Sequence, residues 1–274
     1  MSTPTPPSPP WTSLGKAALP LLADVQDSHA RRAMIRLELA FALAEDRVGL
    51  ALEPVVSAQR GLPVAYHEAE PFFKDRSGAV VTNAHIRRVI ASESLSEALA
   101  CAALRAAWQA LANDLSLRLS LFVDGAHLTS RTWRAAFEGL VATAPDPRFR
   151  LILEVADTQY HACAAEVVDL HRQGITLCLR DTGTALKTLS QPRPRSCDIL
   201  RMDPILCNRM AGKPDPERLF QAKVSLAKQF DMLVVAPGLD RTQDALAATH
   251  LGADCLAGYL YSEPDLDRVP AQIG

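Results

Sequence analysis

Short runs rich in aliphatic and β-branched residues recur along this chain, and most are separated by stretches with helical periodicity. Strands that alternate with helices in this way pair in parallel within one sheet. Helical patterns lie at 28–47, 98–113, 131–143, 160–173, 217–230 and 243–250. The eight strand-like runs are Leu50–Ser57, Val64–Phe72, Leu117–Asp124, Arg150–Val155, Ile175–Leu179, Ile199–Met202, Leu233–Ala236 and Cys255–Tyr261.

The first two runs depart from this alternation. Only Ala58–Pro63 separates them, which is too short for a crossover helix and therefore predicts an antiparallel hairpin. With six parallel strands following, the pattern predicts an α/β fold, a modified TIM (β/α)8 barrel with one antiparallel strand. A doubly wound open sheet is the alternative. A length of 274 residues is ordinary for one such barrel.

The N-terminal segment differs in composition from the rest. Residues 1–12 are dense in proline, which fixes φ and removes a hydrogen-bond donor, so we expect residues 1–27 to form a flexible tail. A proline-motif ligand for a partner is the other possibility. Residues 28–274 are then the barrel domain. The segment has no basic region followed by an apolar run, so no signal peptide is expected and a cytoplasmic location is predicted.

Charge and cysteine content offer no support for several classes of function. A net charge of -2 without a basic block provides no footprint for nucleic acid or for an acidic membrane surface, so we expect neither as a partner. The six cysteines form no CxxC pair, which argues against a metal knuckle and favours a reducing compartment. They are Cys101, Cys163, Cys178, Cys197, Cys207 and Cys255.

Polar side chains follow the predicted strands at their carboxyl ends. The carboxyl ends of barrel strands meet at one mouth, where catalytic residues of this fold lie. Converging carboxylates can bind a divalent metal, although loops of this kind are also rich in acids that merely cap helices. The residues at these ends are Glu68, Asp124, Glu154, Asp157, Arg180, Asp181, Arg201, Asp203 and, just beyond Gly238, Asp240.

Eight segments, in matching order and spacing, carry a resemblance to the EAL domain, the fold of cyclic di-GMP phosphodiesterases. The hairpin segments are LEPVVS (Leu52–Ser57) and YHEAE (Tyr66–Glu70), the latter at the position of Glu-Ala-Leu. The others are LFVDGAHL (121–128), LILEVAD (151–157), LCLRDTGTALKTL (177–189), CDILRMD (197–203), VVAPGLD (234–240) and GADCLAGYLYSEP (252–264).

The resemblance implies a site in which two divalent metals activate a water molecule. By position, Glu68, Glu154 and Asp181 keep carboxylates of that site. Asp124 stands for the family's asparagine, and Asp157 for the second glutamate of its motif.

Other positions depart from the family pattern. Arg180 replaces the metal-bridging aspartate, and a guanidinium cannot ligate a cation. Arg201 replaces a lysine, Pro237 a glutamate and Ala257 a glutamine. Two substrate-holding positions have also changed, to Glu53 and Phe72. We therefore expect no metal or other cofactor and no phosphodiesterase activity.

Crowded carboxylates repel each other unless a cation lies among them. We therefore predict that Arg180 pairs with Glu68, Glu154 or Asp124; the alternative is that it points into solvent. His67 is expected in the core of its strand, and His127 and His161 on the surface or in loops.

The leading functional hypothesis is a degenerate, non-catalytic EAL-like regulator that binds a protein partner in cyclic di-GMP-linked, motility or transcription signalling. The alternative is a receptor that binds cyclic di-GMP through Arg180 and Arg201 without cleaving it. A third, less favoured, is a residual one-metal enzyme. A homodimer is compatible with each hypothesis.

Overall fold

The protein is described here by a computed structural model covering residues 28–90, 93–183 and 197–270, so the predicted tail lies outside the described residues. Strands of the hairpin are longer than the others because both extend past the barrel rim. The strands are β1 (Val48–Ser57), β2 (Val64–Lys74), β3 (Val80–Val81), β4 (Leu119–Phe122), β5 (Leu151–Ala156), β6 (Thr176–Arg180), β7 (Ile199–Arg201), β8 (Leu233–Ala236), β9 (Cys255–Ala257) and β10 (Asp265–Val269).

Eight of these strands close into a barrel. Parallel pairing runs from β2 through β4, β5, β6, β7 and β8 to β9. Strand β1 closes the ring because it pairs antiparallel with both β2 and β9. The predicted barrel with one reversed strand is thus confirmed, and the open sheet is wrong. The short strands β3 and β10 add to β2 and β1 outside the ring.

Helices cover the outside of the barrel. Their apolar faces pack against aliphatic side chains such as Leu119, Leu153 and Leu200, which point outward from the strands and are fully buried. The helices are α1 (Ser28–Ala44), α2 (Asn83–Val89), α3 (Glu93–Asn113), α4 (Gly125–Leu128), α5 (Arg131–Thr143), α6 (Ala164–Arg172), α7 (Pro204–Cys207), α8 (Pro214–Gln229) and α9 (Thr242–His250). Among the described residues, no helix is both long and apolar enough to cross a membrane.

Several predicted boundaries are wrong for local reasons. The last barrel strand ends at Ala257 instead of Tyr261, because Gly258 turns the backbone with φ of 136°. A side chain there would meet the backbone of Leu239, with its Cβ only 2.4 Å from the amide nitrogen. Helix α8 begins at Pro214, after Lys213, three residues before the predicted helical pattern starts at Glu217.

A layer of apolar side chains fills the barrel interior: Val55, Tyr66, Ile152, Cys178, Ile199, Val235, Cys255 and Ala257. Because side chains alternate along a strand, residues two positions away point to the same side. Two positions beyond Tyr66, Ile152, Cys178 and Ile199, towards the carboxyl ends, the same interior face is occupied by four charged residues. They are Glu68, Glu154, Arg180 and Arg201.

Candidate functional site

The mouth of the barrel contains two arginine–carboxylate pairs. Arg201 binds Glu68 through both ends of its planar fork, with Nε donating to Oε1 at 2.6 Å and Nη2 donating to Oε2 at 2.8 Å. Paired, parallel hydrogen bonds of this kind are among the strongest between side chains. Burial disfavours the charged guanidinium, yet the Glu68 carboxylate outweighs it and raises the pKa of Arg201 above its ordinary value. No pattern in the sequence predicts the pairing of Arg201 with Glu68.

The second pair joins Arg180 to Glu154 and confirms the predicted pairing of Arg180 with one of the three acids. Arg180 Nε and Nη2 both donate to Glu154 Oε2, at 3.0 and 2.7 Å. Ser120 Oγ donates to the other oxygen at 2.6 Å. The guanidinium carbon of Arg180 also lies 4.8 Å from the ring centre of Phe122, within the range of a cation–π contact.

Glu154 is almost completely buried, with 1% of its side chain exposed. Burial alone would raise the pKa of its carboxyl group. The positive charges of Arg180 and Arg201, with the hydrogen bonds from Ser120 and Arg180, outweigh burial and hold that pKa below its usual value. Glu154 is therefore an ionised carboxylate whose neutralising charges come from the protein itself.

Two further acids at the strand ends also have protein partners. Asp181 is fully buried and forms an ion pair with Lys223, which reaches it from α8. The other oxygen of Asp181 accepts a hydrogen bond from the Gly183 amide at 3.0 Å. Asp157 accepts a hydrogen bond from Thr182 Oγ1 at 2.7 Å. The sequence did not indicate Lys223 as a site residue, because its position within a helical pattern contains no signal for a partner directly after β6.

Asp124 and Asp203 cap short helices. Asp124 accepts from the amide of Ala126 at 2.9 Å, which makes it the N-cap of α4, and Gln159 Nε2 donates to its second oxygen. Asp203 accepts from the amide of Ile205 at 2.9 Å as the N-cap of α7. For these two residues the capping interpretation of strand-end acids is the one that the geometry supports.

The remaining predicted positions lie in different surroundings. Pro237 is buried directly after β8, whereas Asp240 is exposed to solvent two residues beyond Gly238. Ala257 is buried in the interior layer and also lines the mouth. Neither Pro237 nor Ala257 can donate or accept a hydrogen bond through its side chain, so neither adds a polar group to the site.

Two adjoining cavities occupy the mouth and share Glu68, Glu70 and Arg180 in their walls. The larger has a volume of about 320 Å³ and is also lined by Glu53, Arg201 and Ala257, with Arg87 and Tyr259 at other points of its wall. The smaller, of about 140 Å³, extends between β4 and α3 and is lined by Asp124, Phe122 and Glu154.

Glu53 and Glu70 are acids of the mouth that the strand-end argument missed. Glu53 is on the antiparallel strand β1, directly opposite Glu68 in the register. Because β1 runs opposite to the other barrel strands, its carboxyl end does not point to the mouth, and a search of carboxyl ends does not find Glu53. Burial, together with the charges of Glu68 and Glu70, raises the pKa of Glu53 to about 7. Burial also raises the pKa of Glu70, although the charge of Arg180 opposes that shift. Near neutral pH the mouth thus contains an acid that is partly protonated.

The histidine predictions were partly wrong. His127, expected on the surface or in a loop, lies in α4 and is 8% exposed because that helix packs it against the smaller cavity. His67, expected in the core, is only half-buried, and the pKa of its imidazole is lowered mainly by burial. His161 is exposed, as expected.

The donor set of the mouth does not fit a two-metal centre. Within the described ranges, no three His, Cys, Asp or Glu side chains are arranged to hold a metal ion. Glu68 and Glu154 direct their oxygens to arginine nitrogens, and Asp181 to Lys223. A cation would have to displace three positive charges that the protein supplies from its own strands and helices.

Comparison with known proteins assigns the fold to a family. Residues 36–264 match the EAL domain. This chain belongs to the EAL domain family. It is 25% identical over 141 residues to the probable cyclic di-GMP phosphodiesterase PdeN of Escherichia coli, a match covering 50% of this chain and 27% of PdeN. The chain therefore corresponds to about a quarter of that relative's length.

Solved structures of EAL domains have the same architecture. The Xanthomonas citri FimX EAL domain in complex with c-di-GMP superposes with a TM-score of 0.75 at 15% identity, covering 86% of this chain and 95% of that one. The PaMucR phosphodiesterase in its c-di-GMP complex gives 0.71 at 19% identity, with 87% and 98% covered. At these identities the likeness establishes the fold.

Proposed function

We propose that this chain is a non-catalytic EAL-domain regulatory protein, which acts by binding a protein partner in cyclic di-GMP-linked, motility or transcription signalling. The observation that supports the proposal most is the state of Glu68 and Glu154. Both occupy positions where the family resemblance implies metal-ligating carboxylates, and both are bound by arginines. Arg180 reaches Glu154 from the neighbouring strand, and Arg201 reaches Glu68 from across the barrel.

Electrostatics explain why this arrangement opposes two-metal catalysis. Removing one partner of a buried ion pair leaves an uncompensated charge and costs about 3–5 kcal/mol. A metal that took Glu154 from Arg180 would leave that guanidinium without its partner and would lie beside its positive charge. Hydrolysis also needs an activated water, and a metal is the group that would supply it.

The rest of the barrel is intact, which supports a role for the scaffold itself. Helices, interior layer and strand pairing are those of a well-packed domain, while Glu68 and Glu154 in the mouth are neutralised by arginines of the protein itself. A protein that keeps its fold while pairing off its active-site acids is suited to recognition through its surface. We propose a protein as the recognised partner.

The decisive experiment combines a hydrolysis assay with calorimetry. Cyclic di-GMP is incubated with the protein and Mg²⁺ or Mn²⁺, and the linear product is measured beside a PaMucR phosphodiesterase control. We expect no turnover in the protein and full turnover in the control. Metal-dependent hydrolysis that disappears in Glu154→Gln would overturn the proposal and favour the one-metal enzyme instead.

A second candidate, a cyclic di-GMP receptor without hydrolysis, is favoured by one observation. The 320 Å³ cavity brings the guanidinium groups of Arg87, Arg180 and Arg201 to one space, and arginine is well suited to phosphate. Titration of the protein with cyclic di-GMP without metal tests it. Micromolar binding that is weakened in Arg87→Ala supports a receptor. Absence of binding would favour the hypothesis of a protein partner, and affinity capture with the intact chain would then have to identify that partner.

A further inference from the structure

Helix α1 has two apolar faces on opposite sides. One face contains Ile35, Leu39 and Ala42, which are buried in a cluster with α2, α3 and the outer ends of β1 and β2. At 100° per residue, the opposite side of the helix is also apolar over its whole length. That second face consists of Ala30, Ala33, Met34, Leu37, Ala40, Phe41 and Ala44.

The second face is exposed. Leu37 is 56% exposed and Met34 is 44% exposed, and the alanines of this face are exposed as well. The ring of Phe41 is half-buried because the guanidinium of Arg76 lies over it, 4.1 Å from its centre. A helix that is apolar on both sides is typically buried on both sides, whereas a surface helix has one polar face. The second face therefore requires a partner.

We propose that this partner is a second copy of the chain, bound through α1 in an antiparallel helix pair with its two-fold axis near Leu37. A symmetric dimer needs a surface that complements itself when rotated. Turning α1 end for end about Leu37 places Met34 opposite Ala40, and Phe41 opposite Ala33. Met34 and Phe41 then each meet a small side chain, which is how facing helices interlock. The two copies of Leu37 meet each other at the axis.

Charge along α1 favours the same orientation. The N-terminal half contains Arg31, Arg32 and Arg36, whereas Glu38 and Glu45 lie in the C-terminal half. An antiparallel pair brings the basic end of one copy to the acidic end of the other. A parallel pair would align like charges, and would place Met34 against Met34 and Phe41 against Phe41. Self-association thus has one favoured direction.

This inference is independent of the proposed function, because α1 lies outside the barrel and contributes nothing to the two cavities of the mouth. A failure of one leaves the other standing. The dimer would, however, give the regulatory protein two identical mouths in one assembly.

Cysteine cross-linking tests both the surface and its direction. Leu37→Cys should form a covalent dimer on mild oxidation, since the two thiols meet near the axis. Ala30→Cys and Ala44→Cys should each remain mostly monomeric alone and cross-link to one another when mixed. The matched control is Leu246→Cys on α9, where Leu246 is 66% exposed, and it should behave as the parent protein does. Cross-linking of Ala30→Cys to itself in preference to the mixture would overturn the antiparallel pair.

Light scattering of unmodified protein provides the second measurement. We expect a concentration-dependent dimer that Leu37→Glu weakens about tenfold or more, as for a central interface residue, while Leu246→Glu leaves it unchanged. A monomer at every concentration would overturn the proposal. If, in addition, Leu37→Glu lowered the melting temperature of that monomer, another part of the same chain covers the face.

Discussion

Replacing Arg180 by alanine is the sharpest test of the charge arrangement in the mouth. The substitution removes two hydrogen bonds and the nearest positive charge from Glu154, whose side chain is 1% exposed. Loss of one partner of a buried ion pair costs about 3–5 kcal/mol. Ser120 still donates to the other oxygen, so we expect the lower end, about 3 kcal/mol at pH 7.

Thermal unfolding measures the effect. For a chain of this size, about 3 kcal/mol corresponds to a fall in melting temperature of roughly 6–12 °C. The matched control is Arg134→Ala, which breaks a 2.9 Å ion pair between Arg134 and Asp169. The two side chains of that pair are 35% and 45% exposed, respectively. Solvent-screened pairs contribute about 0–1 kcal/mol, so the control should change little.

The pH dependence distinguishes an unpaired charge from a simple loss of packing. In the parent protein the pKa of Glu154 is depressed, so its contribution to stability is present above the unfolded pKa and is lost as pH falls through the folded pKa. In Arg180→Ala, burial raises that pKa, and folding then favours the protonated acid. The deficit of the variant should therefore shrink as the pH falls from 7 towards 5.

A double variant tests whether the unpaired charge of Glu154 causes the loss of stability. Arg180→Ala combined with Glu154→Gln removes the stranded charge, so it should regain most of the stability lost in Arg180→Ala. An unchanged melting temperature in the single variant, or a deficit that grows on acidification, would refute the charge argument.

Three further perturbations follow from the same structure. Because the pKa of Glu53 is raised to about 7, the parent protein should lose stability as the pH rises from about 5 to 7. In Glu53→Gln, the free energy of unfolding in urea should vary less with pH over this range; the same pH dependence in both proteins would contradict the prediction. Lys223→Met leaves Asp181 buried without its cation, so calorimetry should show a loss that adding Asp181→Asn largely restores; an additive loss would speak against the pair. Gly258→Ala forces a methyl group into the backbone of Leu239 and should lower the melting temperature. Gly139→Ala, in open space on α5, should instead stabilise the protein by about 0.5–1 kcal/mol. Similar melting temperatures for the two variants would refute the steric argument.

The sequence was sufficient for the barrel because its signals are local and repeated. Strand-like runs alternate with helical patterns, and the short Ala58–Pro63 link determines the reversed strand. The edge strands β3 and β10 were missed since two to five half-exposed residues leave no periodic pattern. Boundaries failed where one glycine or a single turn decides the backbone direction.

Within the site, the sequence indicated which charges gather but not how they pair. Arg180 was placed among the acids correctly, while the partner of Arg201 depended on β7 lying across the barrel from β2, a distance that no local pattern contains. Lys223 was missed because it lies on a covering helix, far along the chain from Asp181. Glu53 was named through the resemblance alone, since the strand-end rule does not apply to the strand that runs in the opposite direction.

The internal pairing of the mouth also constrains how such a chain can change over generations. Arg180→Asp alone would set a second carboxylate beside the buried Glu154, so the first step towards a metal-binding site would strand two negative charges in the interior. Arg201 would still bind Glu68 through both of its nitrogens. A metal site in this mouth would thus require several replacements together, because replacing either arginine alone leaves its carboxylate partner without a countercharge.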